Sequence, residues 1–538
     1  MLGYVSVLLA TALLATAAAT KPAVPTRVEL KPTVGGVEAT FILPAPVARF
    51  ELEEAVEDVR ADTWHVQTPG MALAQGAVSR TDGASFSTFS VLVTPDSRPR
   101  DRRYPALTAI GGGWQIYGPY FKAAEGRPPI EGHVASPKGW TTAPQAKGGR
   151  VALDGYVYVG PANNIAAGSA TFVAGPETPT AMRDAVAKAA SQATAYYAKR
   201  LGMGLKAKPT VMIALVPGFN PGWQGDTTAG PVASLRFFGP KAARMDADDA
   251  NRAVQFVNHE FFHFWNSRTF TSRNSGKEAW LHEGMAEYAA LLASRQAGVM
   301  SEAQVGEALS GRLTGCANAL KAKGLDADPP RRGDAVYDCG VLVQWIADLQ
   351  VRRASNGSRD VFDLWRALFA EAARNGGQYD GAGFLARAGL DDPAADAPLG
   401  LLMRPGDPDR WPRLAQALGG LGAKVTPTRS DEAEREALVM HVLGQVCKGG
   451  RGFYGGDPEA LKLDTRDRCG VLNGDPTVDT IAGHNIMTDV HAAFDAAGPI
   501  CAAQGDIVLS LKGKAVATVT CKTPMSPRPL AWTVERWR

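Results

Sequence analysis

The chain has 538 residues, and at ~100–200 residues per domain that predicts two to four domains rather than one core. Hydrophobic residues make up 45% and charged residues 21%, a balance that excludes a disordered or fibrous chain. The net charge of +3 gives no field that would gather nucleic acid or an anionic membrane, so no nucleic-acid partner is expected.

In chain order, the first segment is a run of small apolar residues, 8–19, ending at Ala17-Ala18-Ala19 and followed by polar, Pro-containing sequence. It is too short to cross a bilayer and reads as a signal peptide over 1–19, although no basic side chain precedes the apolar run. No later stretch reaches ~18 apolar residues, so no membrane span is expected and the mature protein should be periplasmic or secreted. The six cysteines agree with export. They fall as three near pairs, Cys316 and Cys339, Cys447 and Cys469, Cys501 and Cys521, with no zinc-ligand spacing among them. Spacing does not fix their connectivity; pairing of neighbours is the simplest expectation.

Residues 26–175 are rich in Val, Thr, Gly and Pro, with β-prone runs at 37–43, 86–93 and 156–159 and a turn at Thr81-Asp82-Gly83, and they predict a β domain. The texture changes at Glu177-Thr178-Pro179, where Thr178 is a candidate helix cap. A helix should then run past Met182, Val186 and Ala189 to end at Gly202. An apolar strand is expected at 210–216, a Gly/Pro-rich loop at 217–231 and a second strand at 232–238. Helices should dominate 248–388, a Pro- and Asp-rich linker should occupy 391–412, and a mixed α+β region should follow over 413–538.

The chemistry is concentrated in Asn258-His259-Glu260-Phe261-Phe262-His263-Phe264-Trp265-Asn266, which contains HExxH. Apolar Val254, Val257, Phe261 and Phe264 recur at helical steps, so the segment is an amphipathic helix with His259 and His263 on one face. Two imidazoles one turn apart can both reach a Zn²⁺ ion, while Glu260, rotated by about 100°, reaches a metal-bound water instead. The spacing HExxHxxGxxH is not met, so the third ligand should come from a second helix. Glu283 in Trp280-Leu281-His282-Glu283-Gly284-Met285-Ala286-Glu287-Tyr288 is the preferred ligand; the adjacent His282 would point ~100° away from it. Glu287, one turn on, is a candidate acceptor for the free N–H of His259 or His263. Two histidines, one carboxylate and an open position describe one catalytic zinc per chain, with Glu260 as general base.

These segments resemble the gluzincin peptidases, and most closely the glycyl-aminopeptidase family, which joins a β domain, a thermolysin-like domain and a C-terminal PDZ domain. The resemblance implies a multidomain α+β chain. It would have an N-terminal β domain over 26–175, a mainly helical thermolysin-like zinc peptidase domain over 176–390, a linker over 391–412 and a PDZ-like α+β domain over 413–538. It also implies that Tyr337, in Tyr337-Asp338-Cys339-Gly340, is the oxyanion donor, although Cys339 stands where related aminopeptidases carry Lys. A Cys316–Cys339 bond would then hold Tyr337 in place. The chain departs from related aminopeptidases in having no Gly-x-Met-Glu-Asn strand before His259. The equivalent stretch, 228–234, is expected to lie beside substrate without an amine-binding carboxylate, with Asp226 nearby. Gly505–Lys514 resembles a late PDZ strand pair and 492–498 its short helix, so the C-terminal region is a candidate peptide binder. The activity implied is zinc-dependent hydrolysis of peptides or proteins, of aminopeptidase type. Endopeptidase action and non-catalytic peptide binding by a degenerate peptidase are the alternatives.

Overall fold

A computed structural model describes residues 24–538 apart from 56–58, 97–103, 218–221, 240–243, 245, 327–328, 331–332, 390–396, 408 and 513–515. The expected leader, 1–19, lies outside the described residues, as do parts of the expected linker. Among the described residues no helix is long and apolar enough to cross a membrane.

The N-terminal region is β-rich. Strands Thr26–Thr33, Gly36–Val47 and Phe86–Val93 lie side by side in a six-stranded sheet. A four-stranded sheet includes Gly113–Tyr117 and Tyr156–Pro161. Alternation drives this: along Thr26–Thr33 every second residue is buried. Val28, Leu30, Phe41 and Phe89 from the first sheet meet Ile116 and Val157 from the second, and the Phe41 and Phe89 rings stack at 4.5 Å.

The last two strands of the expected β domain, Ile165–Ala167 and Thr171–Ala174, belong to the next sheet, which continues through Thr210–Val216 and Val232–Phe238 to Gly222–Thr228 at the edge. All seven residues of Val232–Phe238 are buried, Ser234 and Arg236 among them, as suits a strand covered on both faces. One face of this sheet packs Met212, Ala214 and Val232 on Ile110, Tyr156 and Tyr158 of the β region. The other packs Val211, Ile213, Leu235 and Phe237 into the helical core. Two local expectations change. The helix begins at Thr180 with Pro179 at its N-cap and no side-chain cap, so Thr178 does not cap it; Gly202, at φ 68°, does end it. The expected loop at 217–231 contains the edge strand, which its Gly content concealed because it has no apolar alternation to reveal it.

Helices follow from Ala247–His263 to Gly381–Arg387. Within the expected linker, Pro398–Met403 and the start of Arg410–Gly420 are helical, and Leu399, Leu402 and Trp411 are core residues. Pro and Asp punctuate that stretch, but its leucines and tryptophan bury enough apolar surface to hold it on the helical domain. Beyond it, helices Asp431–Val446 and Val490–Ala502 pack with a six-stranded sheet around their own core of Leu438, Val442, Leu463, Ile481 and Ile507. The chain then returns: Trp532–Arg536 pairs with Lys424–Pro427, and Trp532, Val534 and Trp537 enter the helical domain's core. Disulfides join Cys316 to Cys339, Cys447 to Cys469 and Cys501 to Cys521.

Candidate metal centre

Helix Ala247–His263 starts with a capping box in which Asp246 accepts from the Asp249 backbone and Asp249 from that of Asp246. Its apolar face, with Val257 and Phe261 fully buried, fixes the rotation of the helix and so the direction of His259 and His263. After His263 the chain widens into a π-helical turn, Phe264–Thr269, a departure that often accompanies functional sites. There the Asn266 side chain donates to the His282 carbonyl through Nδ2 at 2.8 Å and presents Oδ1 to His263 Nδ1 at 2.9 Å.

Helix Ala279–Gln296 supplies the carboxylates. Leu281, Met285 and Tyr288 lock it into the core, and it crosses helix Asp334–Ala354 at Gly284 and Gly340. A Cβ on Gly284 would lie 2.3 Å from the Gly340 Cα, so both positions need glycine for the backbones to touch. This close crossing sets the depth at which Glu283 and Glu287 sit beside the histidines.

His259 Nε2 and His263 Nε2 are 3.1 Å apart, and Glu283 Oε2 lies 3.3 Å from each. The outer nitrogens determine the tautomers. His259 Nδ1 is 2.9 Å from Glu287 Oε2 and His263 Nδ1 faces the Asn266 carbonyl oxygen; both partners only accept, so both Nδ1 atoms carry the proton. Both Nε2 lone pairs therefore point at one another and at a carboxylate oxygen. Three acceptors converging without a donor call for a cation. The separations match zinc, since donors ~2.0–2.1 Å from a tetrahedral ion are about 3.3 Å from each other.

Electrostatics give the same reading. Burial pushes the Glu283 carboxyl up, yet His263, His259 and His282 hold it well below the ordinary range. Against its own burial, Glu287 is held at about 2 by His259 and Arg312. Glu260 differs: burial, reinforced by Asp226 and Glu283 against the pull of His259, pushes it up to about 8.

Beside Glu260 runs the edge strand Gly222–Thr228. A Cβ on Gly225 would lie 2.5 Å from Glu260 Oε1, so the carboxylate presses against bare backbone. Arg268 of the π turn donates to the Thr227 carbonyl. The expectation that 228–234 lies beside substrate is corrected, because Val232–Phe238 is interior and pairs on both sides, whereas among the described residues Gly222–Thr228 pairs on one. Asp226 faces the opposite side of the sheet, where Tyr156 donates to it at 2.7 Å and Arg236 lies 3.3 Å away. Tyr337, half-buried in the first turn of Asp334–Ala354, has its ring centroid 5.9 Å from that of His259. Burial and the charges of Glu283, Glu260 and Glu287 raise its hydroxyl above the usual phenol range, so it stays protonated and able to donate.

Residues 252–325 match the family model described as M61 glycyl aminopeptidase, a stretch that holds both histidines and all three glutamates of the site. Over that stretch the chain is similar to the M61 glycyl aminopeptidases, which supports a metallopeptidase. In fold the metallopeptidase is similar to an aminopeptidase N family protein from Idiomarina loihiensis, with a TM-score of 0.64 and 13% identity, covering 95% of this chain and 98% of that one. Native yeast LTA4 hydrolase is matched at a TM-score of 0.41 and 12% identity over 78% of this chain and 72% of that one. No curated protein matches it in sequence. Arg312, Gly225 and Asp338 were not singled out from sequence: each acts across a gap between separate segments, and only an Arg flanked by helical spacing or a Gly beside Trp-Gln marks them.

Proposed function

We propose that the metallopeptidase hydrolyses peptide bonds with one zinc ion held by His259, His263 and Glu283, acting on the free N-terminus of peptides. The observation that carries this reading is the meeting of three acceptor atoms within 3.1–3.3 Å, with Glu260 beside them. Zinc bound there supplies a Lewis acid that polarises the scissile carbonyl and brings water to a pKa near ~7. Glu260 takes the proton of the attacking water and passes it to the leaving amine. Tyr337 donates its hydroxyl proton to the oxyanion. Glu287 and Asn266 hold the Nδ1 protons and so keep both Nε2 lone pairs available. The peptide main chain docks along the open side of Gly222–Thr228, which among the described residues pairs as a strand only with Val232–Phe238.

Endopeptidase action is the second reading, favoured by one observation: Asp226, the acidic residue of the edge strand, is committed to Tyr156 and Arg236 rather than open to a substrate amine. Metal analysis of the purified chain, with rates on amino-acid amides, free peptides and N-blocked peptides, tests both. Stoichiometric zinc and hydrolysis of free but not blocked substrates is expected. Cleavage of blocked peptides would replace aminopeptidase by endopeptidase action, and absence of zinc or of hydrolysis would remove the reading altogether.

Two further assignments belong to the proposal. The C-terminal module of two helices on a six-stranded sheet is PDZ-like and takes up peptide by strand addition. The protein works in the periplasm or outside the cell, a placement supported by three disulfides.

A further inference from the structure

Helix Glu302–Leu320 contributes nothing that reaches the three converging acceptors, yet it carries Arg312. The guanidinium spans two carboxylates from different helices. Through Nη2 it donates to Glu287 Oε1, and through Nη1 to Asp338 Oδ1 at 2.8 Å. Glu287 gives its other oxygen to His259 Nδ1 at 2.9 Å, so both of its oxygens are in use. Asp338 directly follows Tyr337. One arginine therefore sits one contact away from the imidazole of His259 and one residue away from Tyr337.

The surroundings hold it there. Gly315, on the same helix, leaves room for Asp338: a Cβ there would lie 2.0 Å from Asp338 Oδ2. The residues next to Gly315 and Asp338 are Cys316 and Cys339, joined by a disulfide. A covalent link and the Arg312–Asp338 ion pair thus tie helix Glu302–Leu320 to helix Asp334–Ala354, while the other arm of Arg312 reaches helix Ala279–Gln296. Only a planar fork serves both carboxylates at once; an ammonium is a point charge.

Resting on the zinc reading above, we propose that Arg312 is a positioning residue that sets His259 for metal binding and Tyr337 for the reaction through a single guanidinium. Its two arms have separable consequences. The Glu287 arm governs how firmly His259 holds zinc, and the Asp338 arm governs where the Tyr337 hydroxyl sits.

The test uses the full-length protein, with zinc affinity measured by chelator competition and kinetics at saturating zinc. Arg312→Gln is expected to weaken zinc by roughly 10–100-fold, the usual cost of losing a ligand's hydrogen-bonded partner shell. It should also lower kcat at saturating zinc by about 10-fold or more, with KM nearly unchanged, as for an interaction expressed in the transition state. Arg312→Lys should recover only part of either loss. Glu287→Gln should weaken zinc, while Asp338→Asn should lower kcat and leave zinc affinity alone. This split is one that general loosening of the fold would not produce. Should Arg312→Gln fail to fold by circular dichroism, the Glu287 and Asp338 variants carry the test. Native zinc affinity or native kcat in Arg312→Gln overturns the proposal, as does native kcat in Asp338→Asn. Absence of zinc binding or hydrolysis in the unaltered protein would instead overturn the reading on which it rests.

Discussion

Glu260 and Gly225 form a pair in which one residue is the proposed general base and the other makes room for it. Glu260→Gln keeps the shape of the side chain and removes its basicity, so zinc content should be unchanged while kcat falls by at least ~10²-fold, the size of a general-base contribution. Surviving activity would exclude Glu260 as the base. Gly225→Ala places a methyl 2.5 Å from Glu260 Oε1 and 2.4 Å from Phe256 Cζ. Both atoms are ends of side chains, which turn more cheaply than backbone. Stability should therefore change little while kcat drops, and a thermal melt beside a rate measurement separates the two. Tyr337→Phe removes only the hydroxyl and should cost roughly 10²–10³ in kcat if it donates to the oxyanion; a near-native rate would reduce it to a packing role. His259, Glu260 and His263 were legible because one helix carries them at fixed spacing. Gly225 was not, since a glycine in a Gly-rich stretch carries no trace of the carboxylate that folding brings against it.

At the scale of elements, the site depends on helices held at an unusually close crossing. Gly284 and Gly340 meet backbone to backbone, and a Cβ on Gly340 would lie 2.3 Å from the Trp280 carbonyl oxygen. Gly340→Ala must push helix Ala279–Gln296 away. Overpacking of this kind costs about 1–3 kcal/mol, and here the displacement also carries Glu283 off the histidines. Urea denaturation and zinc titration should both move, and a variant with native zinc affinity would show that the crossing does not set the site. A strongly apolar element such as Thr210–Val216 announced itself by composition. The edge strand Gly222–Thr228 did not, because a strand paired on one side, with a bare glycine toward Glu260, has no reason to alternate. The helices at Pro398–Met403 and Arg410–Gly420 were hidden for a different reason: Pro and Asp mark breaks locally, whereas the burial of Leu399 and Trp411 is decided by distant partners.

For the whole molecule, the return of the chain from the C-terminal module to the helical domain was invisible in sequence. The strands Lys424–Pro427 and Trp532–Arg536 are short, and the pairing that defines them joins segments separated by an entire folded module. What it accomplishes is support of the site from behind. Trp537 is 3% exposed; its indole donates to Glu302 at 2.6 Å, its carbonyl accepts from the Trp345 indole at 2.8 Å, and the Arg538 guanidinium lies 4.0 Å from its ring centroid. Val534 lies against Gly306, where a Cβ would meet the Val534 carbonyl oxygen at 2.6 Å. Both Glu302 and Gly306 belong to the helix that carries Arg312. Trp537→Ala should therefore cost about 3–5 kcal/mol, as for other buried Trp→Ala changes, read by urea denaturation of the full chain. Because the tail touches the far end of that helix and not His259, His263 or Glu283, the folded fraction should keep its zinc affinity. A loss confined to zinc binding, with stability intact, would mean that the tail acts on the site directly rather than through the core it completes.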